Sequence, residues 1–336
     1  METLKQHLVQ VTIAGRNVTA DVTPCLSQVG YNDKEEAESD DIALIFDDAE
    51  GRWQEGWYPR QGDTLTVTIG SLEAPLACGL FEIDEIELEL APDQVTVKGI
   101  AAAVTRALRT RNSKAFEKQT LRQIAQYFAT KHGLRLTGDE TELQRIEVDR
   151  KTQERQTDLS FLAGLGSEYD IVFSVRGDQL IFIDRDALDA QPEVLTFARE
   201  ELCKGRFIDK TSQTYGEASV ASREMKTNSV HRWTYTPAVV ENQKGILSKE
   251  VWQGETTATT SAQAQAQARA GLRNNNRDKV TGSITVPGNV RLVAGINIRL
   301  TGVGAFSGKW HVVSSSHTVN NADGYVTTAT IRKIEE

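Results

Sequence analysis

Residues 81–100 read FEIDEIELELAPDQVTVKGI, two alternating apolar and polar runs on either side of a turn-forming Ala-Pro-Asp. Alternation of this kind places one side of each run in a core and predicts a β-hairpin. The apolar residues fall at positions 81 and 83 and then at 86, 88 and 90, so the alternation slips by one near Asp84 and Glu85. A β-bulge there would return the apolar side chains to one face, as in a strongly twisted sheet or barrel.

The sequence around this hairpin has the same β character. Gly15-Arg16 separates two short alternating runs and predicts a tight turn of type II′. A long acidic loop is expected at residues 32–41 (NDKEEAESDD). We therefore predict that residues 1–103 form a first β-domain, which fits a barrel or a strongly twisted sheet better than a flat one. The other strands predicted here are residues 10–14, 17–22, 42–46 and 65–69.

The middle of the chain predicts helices. Residues 120–131 (TLRQIAQYFATK) open with the capping-box pattern T-x-x-Q, place apolar residues at helical spacing and end before Gly133. A second helix is predicted to start at Thr157 or Asp158. Two strands follow, at 171–175 and 179–183. These elements predict a small α+β module spanning residues 104–200.

The last part of the chain, residues 201–336, returns to β-type runs and is predicted to be a second β-domain. Residues 261–273 (SAQAQAQARAGLR) have high helix propensity, but their alanines alternate and leave no broad apolar stripe. We expect this helix to lie on a surface or against a partner. The predicted strands are residues 218–225, 230–235, 284–286, 296–300, 309–314 and 325–331.

The composition is that of an ordinary folded protein. The chain has 336 residues, of which 25% are charged and 39% hydrophobic, and this length suggests about two domains with real cores. No run approaches the roughly 18 apolar residues of a membrane-spanning helix, and the N-terminus lacks the apolar segment of a secretory signal. We therefore expect the protein to be made and folded in a cytoplasm.

Charge and cysteine content exclude further classes of protein. With 38 basic and 47 acidic residues the net charge is −9, which argues against a general nucleic-acid binder because phosphate binding needs a basic face. A surface past which nucleic acid slides without binding remains compatible with this charge. Cys25, Cys78 and Cys203 lie far apart and form no C-x-x-C pair, so we expect buried structural thiols and no disulfide framework or zinc site.

The candidate for catalytic chemistry is a row of carboxylates in the first hairpin. Alternate residues of a strand share a face, so two of them could act as an acid and base pair. We favour a solvated or interface-facing outer face for this row instead. The residues concerned are Glu82, Asp84, Glu85, Glu87 and Glu89.

Other candidate motifs fail on spacing. Residues 302–310 (GVGAFSGKW) lack the phosphate-loop order and predict a turn between strands. The five histidines form no H-E-x-x-H motif. We therefore predict no catalytic residue, no cofactor site and no metal site. Among the tryptophans, Trp310 is expected in a core, whereas Trp53 and Trp57 fit either a core or an interface.

Several segments, taken in order, resemble the late control gene D protein family, the baseplate hub proteins of contractile-tailed bacteriophages. The most telling segment is residues 155–162 (RQTDLSFL), which together with Gln153 resembles the Q-x-x-E-T-D-L-x-F-L segment shared by these hubs and the N-terminal part of VgrG spikes. Gln156 departs from this pattern, because Glu is usual at its position. The other matching segments are residues 43–48, 51–53, 56–59, 62–63, 79–86, 108–110 with 113 and 116, 120–121, 308–310, 316–317 and 325–328.

The resemblance implies a mostly β, α+β fold in which each subunit carries two barrels resembling the tail-tube fold, with the α+β module between them. It implies a homotrimer, since three subunits with two barrels each match a sixfold tube while keeping a threefold end for the spike. The implied partners are the spike protein and the tail tube protein, with the tape-measure protein and other baseplate proteins as further candidates. DNA would pass through the lumen without specific binding.

The resemblance also implies where the protein is found, and two alternative functions remain open beside it. The implied location is the tail baseplate of a virion assembled in the cytoplasm of a host bacterium, without stable membrane insertion. One alternative is a hub of a toxin-injecting particle related to phage tails, with the same fold and a protein cargo. A second alternative is a cell-wall-degrading tail enzyme that uses the carboxylates between Glu82 and Glu89.

Overall fold

A computed structural model describes residues 8–36, 39–102, 108–210, 215–224, 229–236, 250–255 and 261–334. The chain divides into two compact units. The first unit combines residues 1–105, 191–206 and 282–336, and the second combines residues 106–190 and 207–281. None of the described helices is long and apolar enough to cross a bilayer.

The described strands and helices follow one another in this order along the chain. The strands are β1 (Leu8–Ile13), β2 (Arg16–Asn17), β3 (Leu26–Lys34), β4 (Asp41–Asp47), β5 (Thr64–Gly70), β6 (Pro75–Glu89), β7 (Gln94–Ala101), β8 (Arg111–Thr120), β9 (Arg135–Gly138), β10 (Glu147–Thr157), β11 (Ile171–Arg176), β12 (Gln179–Asp184), β13 (Glu193–Ala198), β14 (Lys204–Asp209), β15 (Glu217–Glu224), β16 (Ser229–Tyr235), β17 (Val251–Glu255), β18 (Val280–Pro287), β19 (Asn297–Thr301), β20 (Gly308–Asn320) and β21 (Gly324–Lys333). The helices are α1 (Thr19–Val22), α2 (Leu121–His132), α3 (Glu140–Arg145), α4 (Asp158–Tyr169), α5 (Arg185–Ala190) and α6 (Ser261–Asn276).

One 13-stranded sheet dominates the first unit, and its strands fall into two halves with the same order. We call β3-β4-β7-β6-β5-β1 the first half-sheet and β14-β18-β21-β20-β19-β13 the second half-sheet. Within each half the strands also follow the same order along the chain. The halves differ at one end, where β1 pairs antiparallel with β5 but β13 pairs parallel with β19. The sheet is continuous because β20 pairs antiparallel with β3.

The β-bulge predicted near Asp84 and Glu85 is confirmed. The register between β6 and β7 shifts between Ile83 and Glu85, so one extra residue lies on β6. The second half-sheet repeats this feature, since the register between β20 and β21 shifts between Val312 and Ser314. The two longest strands of the unit therefore bend at corresponding places.

One core of the first unit packs mainly on the first half-sheet and also includes Val319 and Tyr325 of the second. Alternate residues of β4, β5 and β7 are buried, as their period of two requires. Trp53 stacks on Phe46 with ring centroids 4.0 Å apart. Trp310 is fully buried, as predicted, and its Nε1 donates to the carbonyl oxygen of Phe306 at 2.9 Å.

The fold is mostly β, and the strands that the structure describes do not close into a barrel. The sheet follows an open path from β14 to β2, with β13 and β19 attached beside β20. The predicted domain succession 1–103, 104–200 and 201–336 also differs from the observed units. Residues 282–336 join the first unit because β20 pairs with β3, whereas residues 207–281 belong to the second unit.

The second unit contains the predicted α+β module together with a small sheet of β16, β15 and β17. Helix α2 begins as predicted, because the Thr120 side chain accepts from the Gln123 N–H and the Gln123 side chain accepts from the Thr120 N–H. Gly133 ends it in the left-handed conformation, with φ of 66°. Thr157 caps α4 by accepting from the N–H of Ser160. Both predicted helix starts are confirmed.

Helix α6 is packed more closely than its alternating alanines suggest. Ala264, Ala268 and Leu272, spaced four residues apart, are buried against Ala218 and Val220 of β15. Small side chains on this stripe let the helix approach the sheet. The prediction of a helix lying only on a surface or against a partner was therefore wrong for this face of α6.

This packing leads to a test with a matched pair of variants. Ala268→Leu adds side-chain volume to a fully buried position and should destabilise the protein by about 1–3 kcal/mol. Gln265→Leu adds a leucine to an exposed position of the same helix and should leave stability nearly unchanged. Thermal melts followed by circular dichroism compare the two. Equal melting temperatures would show that the alanine stripe is not tightly packed.

Three smaller predictions need correction. The first turn uses Ala14 and Gly15, with φ of 50° and 77°, as in a type I′ turn, and residues 19–22 form α1 instead of a strand. The expected acidic loop begins inside β3, so that Asp33 is buried, while residues 37–38 lie outside the described part. Cys78 is buried as predicted, but Cys203 is exposed.

Candidate interaction surface

Beyond the bulge, residues 85–89 of β6 and Leu90, which directly follows the strand, form a candidate interaction surface that we call the β6 outer edge. Here β6 pairs with β7, from Glu85 opposite Lys98 to Glu89 opposite Gln94. On its other side β5 ends its pairing at Glu82, and residues 62–63 bond only the backbone of Ile83. No described strand covers the β6 outer edge on that side.

Alternation of backbone hydrogen bonds identifies the groups on the open side. The N–H of Ala102 donates to the carbonyl oxygen of Leu80 at 2.8 Å, so even-numbered residues of β7 direct their backbone groups toward β6. The residues opposite them, at 85, 87 and 89, therefore bond β7. The backbone groups of Ile86 and Leu88 point to the open side.

The side chains of the β6 outer edge divide into an apolar row and an acidic row. Ile86 packs against the core of the first unit, but Leu88 and Leu90, next in the same row, are 44% and 67% exposed. The acidic row, Glu85, Glu87 and Glu89, lies on the opposite face and is exposed. An apolar row that runs out of a core into solvent is a typical feature of an interaction surface.

Two of the five carboxylates bind the same lysine side chain. Lys98 Nζ donates to Glu85 Oε1 at 2.8 Å and to Glu87 Oε2 at 3.1 Å. Glu85 and Glu87 thus share one ammonium partner on an exposed face of the strand. These hydrogen bonds support the predicted solvated outer face.

Trp53 and Trp57, for which the sequence left core and interface positions open, lie together near the first half-sheet. Trp53 is 2% exposed and Trp57 packs beside it, with ring centroids 5.8 Å apart and nearly perpendicular rings. Arg52 lies 5.2 Å from the centre of the Trp57 ring. Trp53 is thus a core residue, and Trp57 is a partly covered residue at the edge of that core.

The histidines of β20 take part in buried hydrogen bonds. His311 Nδ1 lies 2.7 Å from Asn297 Oδ1, and its Nε2 lies 2.6 Å from Glu35 Oε1. His317 contacts the hydroxyl of Tyr325 at 2.9 Å, and burial lowers the pKa of His317 to about 4, so the ring is neutral at pH 7. No cluster of ligating side chains suited to a metal ion occurs in the described part of the chain.

The second unit contains one buried carboxylate that joins several elements, Asp158 in the RQTDLSFL segment. Asp158 is fully buried at the start of α4. Lys131 Nζ donates to its Oδ2 at 2.5 Å, and His132 Nε2 lies 2.7 Å from the same oxygen. Asn112 and Gln153 donate to Oδ1 at 3.1 and 2.8 Å. We call this group the Asp158 cluster.

The Asp158 cluster ties together the ends of four elements. Its members come from β8, β10, the last turn of α2 and the first turn of α4. Burial opposes ionisation of Asp158, but hydrogen bonds from Gln153, Lys131 and His132 outweigh it and lower the pKa of Asp158. The segment that carried the family resemblance is therefore a structural junction of the α+β module.

Sequence reasoning missed the features that depend on distant pairing. It did not identify the open side of the β6 outer edge, because only the end of β5 pairing leaves that side uncovered. It also missed the contact between Glu35 and His311, which are far apart in the chain. The sequence feature that pointed to this surface was the apolar row at 86, 88 and 90, because it continues beyond the residues that the core covers.

Comparisons with known proteins agree with one another. Residues 81–323 match the family model described as phage tail baseplate hub (GPD). The chain is 30% identical over 169 residues to a probable baseplate hub protein of Escherichia phage P2. That alignment covers 50% of this chain and 43% of the relative, so the chain matches less than half of the relative's length.

Two solved structures share the fold over nearly the whole chain. The 43 kDa tail protein of prophage MuSo2 from Shewanella oneidensis superposes with a TM-score of 0.74 at 14% identity, covering 97% of this chain and 98% of that protein. An Escherichia coli component of the type VI secretion system has a TM-score of 0.57 at 13% identity, covering 93% of this chain and 74% of that protein. At these identities the likeness concerns the fold alone.

Proposed function

This chain belongs to the phage tail baseplate hub family, and we propose on that basis that it is a structural hub protein of a contractile phage tail. The observation that carries the proposal is the match of residues 81–323 to the family model. The likeness to a phage P2 protein with the same description supports it. The protein would lie in the tail baseplate of the virion after assembly in the host cytoplasm.

The proposed hub works as a trimeric adaptor between partners of different symmetry. The repeated strand order of the two half-sheets supports this role, because one chain then offers two similar structures. Three such chains offer six similar contacts to a sixfold tail tube and keep a threefold end for a spike protein. We propose that the two half-sheets correspond to the two tube-like modules of the family, although neither closes into a barrel in the isolated chain.

The net negative charge of the chain fits a ring through which DNA passes. A net charge of −9 disfavours binding of phosphate groups by counterion release. DNA, and before it a tape-measure protein, would therefore pass through the ring without specific binding. The proposed stable partners are the tail tube protein, the spike protein and further copies of this chain.

Labelling of purified tails tests the location directly. An antibody raised against the full chain should mark one end of intact contractile tails in electron micrographs. Mass spectrometry of those tails should find the chain together with tube and spike proteins. Tails that lack the chain, or that carry it along their whole length, would contradict the proposal.

We further propose that the hub has no enzymatic activity. The pairing of Lys98 with Glu85 and Glu87 supports this proposal against a wall-degrading function. In a zymogram with bacterial peptidoglycan the full chain should produce no clearing, with lysozyme as a positive control. Clearing that disappears in a Glu82→Gln or Asp84→Asn variant would establish the enzymatic alternative.

A toxin-injecting particle is the remaining alternative, since a type VI secretion component shares the fold. The fold does not distinguish the two kinds of particle. Purified particles do: a phage particle contains a capsid with DNA, and a toxin particle contains a protein cargo without either.

A further inference from the structure

The two half-sheets differ in how their longest strands are covered beyond the bulge. Beyond Ser314, β20 is paired on both sides, with β21 on one and with β3 on the other. Beyond Glu85, β6 is paired with β7, and its other side is open in the part of the chain that the structure describes. Since the strand order is the same, the open side of β6 corresponds to the side of β20 that β3 covers.

The strand order also identifies the counterpart of β3. In the first half-sheet β3 is the strand next to β4, and in the second half-sheet β14 is the strand next to β18. Within the chain, β3 pairs with β20. The corresponding pair, β14 with the β6 outer edge, is not formed within the chain. Each copy thus has one edge that corresponds to β3, namely β14, and one edge that corresponds to the outer part of β20, namely the β6 outer edge.

Charge makes these two edges complementary. The β6 outer edge carries Glu85, Glu87 and Glu89, all exposed. The part of β14 in the first unit carries Lys204 and Arg206, also exposed. Opposite charges on adjacent strands stabilise pairing, whereas like charges oppose it. The β6 outer edge of one copy would therefore not pair with the β6 outer edge of another, because both are acidic.

We propose that the β6 outer edge of one copy pairs as an antiparallel strand with β14 of a second copy, a contact that rests on the trimer proposed above. The pairing repeats between copies what β20 and β3 do within one copy, with the same antiparallel direction. The open backbone groups of Ile86 and Leu88 gain partners, and Leu88 and Leu90 become covered. Because two different edges meet, the contact is head-to-tail, and it closes into a ring of three copies when each copy is rotated by about 120° from the next, as the proposed trimer requires.

Charge reversal with rescue tests the pairing in the full-length protein. Glu87→Lys/Glu89→Lys and Lys204→Glu/Arg206→Glu should each weaken self-association at least tenfold, measured by light scattering over a concentration series. The chain that carries all four changes restores opposite charges at every contact and should recover the trimer. Glu55→Lys/Glu73→Lys, at exposed positions elsewhere in the first unit, should trimerise like wild type.

A backbone variant tests strand pairing separately from charge. Leu88→Pro removes an N–H that points to the open side and keeps the bonds to β7, a position where edge strands accept proline. It should yield a folded monomer with a melting temperature near that of isolated wild-type subunits. Leu88→Val keeps the N–H and should remain a trimer.

The outcomes separate this inference from the proposed function. If wild type forms a trimer that Leu88→Pro and both charge reversals leave intact, the strand pairing is wrong and the trimer stands. If either reversal dissociates the trimer but the fourfold variant fails to recover it, the pairing with β14 is also wrong. A wild-type chain that remains a monomer at every concentration contradicts both the trimer and the pairing.

Discussion

Asp158→Ala should destabilise the second unit by about 3–5 kcal/mol, because it removes a fully buried carboxylate that accepts hydrogen bonds from several side chains. Lys131 and His132 both contact Asp158 Oδ2 in the native protein, at 2.5 and 2.7 Å. Removal of the carboxylate also leaves the Gln153 side chain, which is 1% exposed, without the acceptor at Oδ1. Urea unfolding followed by circular dichroism gives the free energy change.

An exposed ion pair of the same unit provides the control. Asp178 accepts two hydrogen bonds from Arg135, but both side chains are largely solvent-exposed. Asp178→Ala should therefore leave the unfolding midpoint close to that of wild type. If Asp158→Ala and Asp178→Ala have the same small effect, the Asp158 cluster does not hold the module together.

The Asp158 cluster also makes stability depend on pH. The folded protein lowers the pKa of Asp158 below its usual value of 3.8, so the unfolded chain binds the proton more readily. The contribution of Asp158 is therefore fully present above the unfolded pKa and is lost as the pH falls through the folded pKa. The stability difference between wild type and Asp158→Asn should shrink as the pH is lowered below 4.

Phe128→Ala should destabilise the same unit by about 3–5 kcal/mol, through the loss of buried area and the cavity left behind. Phe128 is fully buried and packs with Phe116 and Phe161, at centroid distances of 5.6 and 5.7 Å. Gln126→Ala, on the exposed face of the same helix, should change stability by no more than about 0.5 kcal/mol. A melting temperature unchanged by Phe128→Ala would show that this helix face is not in a core.

Features set by neighbouring residues were predictable from the sequence. The capping box of Thr120 and Gln123 acts within one helical turn, and the slip in apolar alternation near Asp84 is itself the pattern of a bulge. The burial of Phe128 also followed from the helical spacing of its apolar neighbours. In each case the deciding interactions lie within a few residues of one another.

Features set by distant pairing were not predictable. The pairing of Ser314 with Lys34 joins the last strands to the first half-sheet, and no local pattern encodes this partner. The observed unit therefore combines residues 282–336 with the start of the chain, which the predicted boundary at residue 201 separates from it. The burial of Ala268 depends on a sheet formed by residues about fifty positions away in sequence, among them Val220. Alternating alanines lack the 3.6-residue period of an amphipathic helix, so the buried face of α6 could be identified only from the strands that it contacts.

Cryo-electron microscopy of the purified full chain, viewed down the axis of its assembly, tests the central claim that the protein acts by shape as an adaptor between symmetries. The account predicts a closed ring of three copies in which six similar half-sheets surround a lumen. An assembly with another number of copies, or three copies whose half-sheets are not arranged around a common axis, would contradict it.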